Sequence, residues 1–154
     1  MDAGNRNSQD SIRRSPLSVL LSIWAVLAGY LTLSILVMLL LMIALVIVPE
    51  WRETVSGGYL LANILLSIIS AAAGGYLTAR LAPASPLGHG LALGLISLLF
   101  GVLYALNMPT EPGRPEPPEW YGMLLAALAL PSVMLGALVR VRTLPASARP
   151  AGKR

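Results

Sequence analysis

The chain alternates between long apolar runs and short polar breaks, and the lengths of both carry the first reading. Charge-free runs extend over about 17–48, 58–79, 88–107 and 120–139. Each reaches the roughly 18 residues at which an apolar stretch predicts a membrane-spanning helix rather than a core helix of a soluble domain. The sequence therefore predicts an all-α polytopic membrane protein, a four-transmembrane-helix bundle. A tail over 1–15 precedes the membrane domain of 16–140, and a basic tail over 141–154 follows it.

The breaks contain the expected punctuation. Ser15 before Pro16 is a capping residue followed by proline at the first helical position. Pro49 ends the first run. That run is 32 residues long, so its ~48 Å as a helix exceeds the ~30 Å of hydrocarbon and requires tilt or entry into the headgroup layer. It is too long for a signal-peptide core and is read as an uncleaved first span. Pro131 lies inside the fourth run and predicts a kink. The segment 108–119, MPTEPGRPEPPE, holds five prolines, which predicts an extended spacer. The tail from Thr143, rich in Pro, Ala and basic residues, is expected to be irregular and drawn to anionic lipid.

Charge orients the bundle. Nine of the eleven basic residues fall in the two tails or at Arg80, and only Arg52 and Arg114 fall on the other side. The positive-inside rule then places both termini and the Arg80 turn in the cytoplasm. Trp51, Trp120 and Tyr121 fall where an outer aromatic belt would lie. This asymmetry also accounts for the net charge of +4 without invoking nucleic acid.

Candidate chemistry is sparse. There is no cysteine, and no Asp, Glu, Lys or Arg lies within a span. Proton relays and ion pathways depend on intramembrane ionisable groups, and intramembrane hydrolysis needs an acid–base pair or a metal. A non-enzymatic protein with no catalytic residue, metal or cofactor is expected. His89, the only histidine, begins the third span and is the one candidate cofactor ligand, for haem or a pigment.

Packing residues are more prominent. Asn63, Ser67, Ala71, Gly75 and Ala79 recur every four residues on the second span, with Ser70, Gly74 and Thr78 in the adjacent row. Gly90, Gly94, Ser97 and Gly101 share a face of the third, and Ala25 and Gly29 form a shorter one on the first. Small residues at this spacing let helices approach closely in lipid, and the pattern predicts spans two and three packed as a tight hairpin. Asn63 should face another helix, since an unpaired amide in lipid is costly.

The stretch 71–101, AAAGGYLTARLAPASPLGHGLALGLISLLFG, resembles a family of small four-helix bacterial inner-membrane proteins. Gly74, Gly75, Arg80, His89, Gly90 and Gly94 carry the resemblance. It implies a bundle in the bacterial inner membrane and no activity. The expected role is a structural or accessory subunit acting through helix packing, with the lipid bilayer and further copies or other membrane subunits as partners. A small channel or transporter for an uncharged or lipid-like substrate is the alternative, and a pigment- or haem-associated subunit the second.

Overall fold

The computed structural model describes residues 16–107 and 116–143. Four helices account for nearly all of them: α1 (Pro16–Ile47), α2 (Gly57–Leu81), α3 (Pro86–Leu106) and α4 (Glu119–Thr143). No strand occurs among the described residues, and all four helices are long and apolar enough to cross a membrane. The helix ends fall within a few residues of the ends of the charge-free runs. Ser15, the spacer residues 108–115 and the tail beyond Thr143 lie outside the described residues.

The helix ends have local causes. Pro49 excludes Val48 from α1, and a 3-10 turn, Pro49–Arg52, follows. The Arg52 Nε–H then donates to the Leu45 carbonyl at 3.1 Å, satisfying one of the carbonyls left open at the end of α1. Ser56 caps α2 by accepting from the Tyr59 amide at 3.2 Å. Helix α3 begins two residues earlier than its polar boundary suggests, with Pro86 in its first turn. Arg80 ends within α2, and Arg140 and Arg142 end within α4, where cations complement the helix dipole. Pro131 is accommodated inside α4, which runs unbroken through it.

Four hydroxyls within these apolar helices bond to their own helix. Ser22, Thr32, Ser70 and Ser132 each donate to the carbonyl four residues earlier, at 2.7–2.9 Å. Such a bond lowers the cost of a hydroxyl in apolar surroundings.

The packing order departs from the expected hairpin. Helix α4 lies between α2 and α3 and packs closely on both, α1 packs on α2, and α2 meets α3 only sparsely. The cause is the backbone at two glycines. A Cβ on Gly75 would overlap the Val133 carbonyl of α4, and one on Gly136 would overlap the Ala72 carbonyl of α2. Only glycine permits so close a crossing, and the weak C–H···O attraction between a glycine and a facing carbonyl adds to it. The turn of Ala82–Ser85, with Ser85 at a left-handed φ of 46°, joins α2 to α3 without pressing them together.

Helices α3 and α4 form the close antiparallel pair. A Cβ on Gly90 would come within 2.6 Å of Ala137 Cβ, one on Gly101 within 3.0 Å of Ala126, and one on Gly122 within 2.9 Å of Ala105. Gly94 meets Leu130 at ordinary van der Waals distance. At the α1–α2 crossing, a Cβ on Gly74 would come within 2.7 Å of the Gly29 carbonyl. Thr78 Oγ1, fully buried, abuts Gly29 and makes no hydrogen bond. Ala71, Leu93 and Val133 form the central core, with Val26, Tyr30 and Leu33 packed against it.

Candidate functional site: a cavity between the helices at the loop end

Two ends of the bundle can be told apart. The turn end holds the Ala82–Ser85 connection, the start of α1 and the end of α4. The loop end holds the 3-10 turn and residues 116–118. The glycine-mediated crossings of α1 and α4 on α2 lie toward the turn end, at Gly29, Gly74, Gly75 and Gly136. Toward the loop end α1 and α2 draw away from the α3–α4 pair, and a cavity of about 910 Å³ opens between them.

All four helices contribute to its wall. Leu33, Val37, Leu41 and Leu45 come from α1, Ile64 and Ile68 from α2, and Leu125 and Leu128 from α4. Trp51, Arg52 and Thr54 stand at the mouth. The Trp51 ring meets Tyr59 edge-on, with centroids 6.0 Å apart. Among the described residues Arg52 is the only charged one lining the cavity, and it is exposed.

The polar groups of the wall are uncharged and sit at two levels. Near the mouth, Tyr121 is only 5% exposed. The Asn63 amide sits beside the Tyr121 hydroxyl but outside regular hydrogen-bond geometry. Deeper, Ser70, Ser97 and Ser132 converge from three helices. Ser70 and Ser132 are satisfied by the Leu66 and Leu128 carbonyls, each at 2.7 Å. Ser97 is 9% exposed, and its Oγ is buried with no hydrogen-bond partner among the described residues.

The row on α2 read as a single packing face therefore divides. Ala71, Gly75 and Ala79 are buried, Gly75 in the crossing with α4, while Asn63 and Ser67 line the cavity. The face on α3 divides similarly: Gly90 and Gly94 pack on α4, Gly101 both packs on Ala126 and borders the cavity, and Ser97 borders the cavity with its hydroxyl oxygen buried. Gly74 serves the α1 crossing. Pro131 is exposed on the outer face of α4. Sequence reasoning missed Tyr59 and Tyr121 as wall residues, because their aromatic character reads equally well as an interfacial belt.

His89 lies elsewhere, in the first turn of α3. Its Nδ1 is 3.2 Å from the Ser85 carbonyl, a hydrogen bond that forms when Nδ1 carries the proton. It borders an apolar groove of about 520 Å³ between α1 and α3, with Ser22 and Val26 opposite. No group of three His, Cys, Asp or Glu suited to a metal occurs among the described residues. Between the groove and the cavity, Tyr30 of α1 meets Phe100 of α3, ring centroids 5.7 Å apart and tilted by 55°.

No protein-family model, curated protein or solved structure matches this chain, so the geometry of the site carries the functional argument.

Proposed function

We propose that this chain is a non-enzymatic integral membrane protein that holds an uncharged, lipid-like molecule in the loop-end cavity, as a small carrier or binding subunit. The observation that carries the reading is the cavity itself. Its 910 Å³ falls within the ~300–1,000 Å³ of ligand sites, and such sites are mostly apolar with a few placed polar groups. The described part of its wall carries one charge, at Arg52, and its depths are lined by apolar and uncharged polar residues, which offer an ionised ligand no counter-charge to offset its desolvation. Charge asymmetry supports placing the mouth on the outer face of a bacterial inner membrane, with both termini cytoplasmic.

The test uses tryptophan fluorescence in lipid nanodiscs. With Trp24→Phe and Trp120→Phe, Trp51 at the cavity mouth is the remaining indole. A brominated long-chain alcohol is expected to quench it saturably, and Ala129→Phe, which projects a ring into the cavity, is expected to abolish the saturable component. Quenching that only rises linearly with probe would show partitioning into lipid and overturn the reading.

A second reading is an accessory or self-associating subunit, supported by α1. Only Ala25 and Gly29 are buried along its 32 residues, which leaves a long apolar face for lipid or a neighbouring helix. A native mass in mild detergent showing one chain and no co-purifying partner would remove it.

A further inference from the structure

Two polar side chains of the cavity wall stand apart from the others. The floor hydroxyls offer a ligand nothing: Ser70 and Ser132 donate to their own helices, and the Ser97 oxygen is sealed by packing, as is that of Tyr121. The Asn63 amide and the Ser67 hydroxyl are neither bonded nor sealed. Both residues are half-buried and line the cavity from α2, and neither side chain makes a regular hydrogen bond among the described residues. An amide carries two N–H donors and an acceptor with two lone pairs, so the Tyr121 hydroxyl beside it could occupy only part of it. Ser67 could turn back onto the Asn63 carbonyl four residues earlier, as Ser70 and Ser132 do onto theirs, and does not.

One helical turn separates the two side chains, about 6 Å along the α2 wall. We propose that together they hold the polar end of a neutral acyl ester that also bears a free hydroxyl, the chemistry of a monoacylglycerol. The Ser67 hydroxyl donates to the ester carbonyl. The Asn63 amide, nearer the mouth, both donates to and accepts from the glycerol hydroxyls. A lipid with a single oxygen would engage one of the two side chains and leave the other unpaired against an apolar wall, which costs free energy. The acyl chain has the rest of the cavity: Leu41, Leu125 and Leu128 are apolar, and the floor hydroxyls, being satisfied or sealed, lose nothing when a chain covers them. This inference rests on the cavity being a binding site.

The experiment compares two probes with the same brominated acyl chain, the glycerol monoester and the methyl ester, by saturable quenching of Trp51 in nanodiscs, with affinities expressed as mole fractions of lipid. The glycerol ester is expected to bind about fivefold more tightly, the effect of one net hydrogen bond. Asn63→Ala should bring the ratio close to one while the methyl ester still binds, which shows that the bundle is folded. If that variant binds neither ester, Asn63→Leu, which keeps the volume of the amide, carries the same expectation. Ser67→Ala should weaken both esters about fivefold and preserve the ratio. Ser22→Ala, on the separate groove beside His89, should leave both affinities intact. Equal binding of the two esters by the unaltered protein overturns the inference and leaves the cavity reading standing. So does a preference that survives removal of the Asn63 amide, or a Ser67→Ala variant that binds both esters as before. Absence of saturable quenching by either probe in the unaltered protein overturns both.

Discussion

The two halves of this bundle are built from the same kinds of residue and behave in opposite ways. Toward the turn end, glycines bring backbones together: Gly75 takes the Val133 carbonyl, Gly136 takes the Ala72 carbonyl, and Gly29 faces Gly74. Toward the loop end the same helices diverge around a cavity, and the small or polar residues there, Ser67, Asn63 and Ser97, line space instead of filling it. Helices apolar on every side gain little from preferring one face over another, so close packing decides which surfaces meet. Where glycine admits a neighbouring backbone the helices are locked. Where leucine and isoleucine point inward without interlocking, they stand apart.

That contrast predicts very different tolerance to substitution. The largest effect is expected for Gly75→Val. Its new side chain meets main-chain atoms of Val133 that cannot rotate aside, so overpacking should cost ~3 kcal/mol or more. Unfolding in mild detergent with added denaturant should show it, and an unchanged midpoint would mean that α2 and α4 do not cross there. Leu93→Ala comes next. Leu93 is 0% exposed at the core between the halves, and the hole it leaves should cost ~2 kcal/mol, read from the same curve. Separation of the rings by Phe100→Leu removes an aromatic pair between α1 and α3 and should cost ~1 kcal/mol. A value near zero would locate the closure of that seam elsewhere. The smallest effect is expected at the loop end, for Ala129→Phe, which places its ring in the cavity. Its stability should stay within ~1 kcal/mol of the unaltered protein, as a site with room allows, while the saturable quenching of Trp51 is expected to be lost. A loss as large as that of Gly75→Val would erase the distinction between the halves.

Much of the architecture is legible in the chain. Charge-free runs bounded by Pro49, Arg80 and Arg140 mark the helices, because lipid forbids unpaired charge and unpaired backbone alike. The glycine and serine spacing marks the faces on which helices meet. What the spacing does not rank is which face meets which. An α2–α3 hairpin is the economical reading for helices joined by a short turn, yet Gly75 and Gly136 admit carbonyls across the α2–α4 crossing, and α4 takes the place beside α2. The outline of the site is less legible still. Asn63 and Ser67 continue the periodic row of Ala71 and Gly75, and nothing in that row tells packing from lining. Ser97 reads in the sequence as a member of the Gly90–Gly94–Gly101 face. Only the structure places it beside Ser70 and Ser132 at the wall of the cavity.

By itself the sequence determined the number of apolar helices and their ends, because those follow from local rules of hydropathy, proline and capping. It also determined that the described helices carry no charged group deep within them. The tertiary structure alone decided the order of packing, the tight half and the open half. It also decided the convergence of three serines on one floor. Those depend on how closely specific backbones approach, a property of pairs of helices that no single run of residues contains.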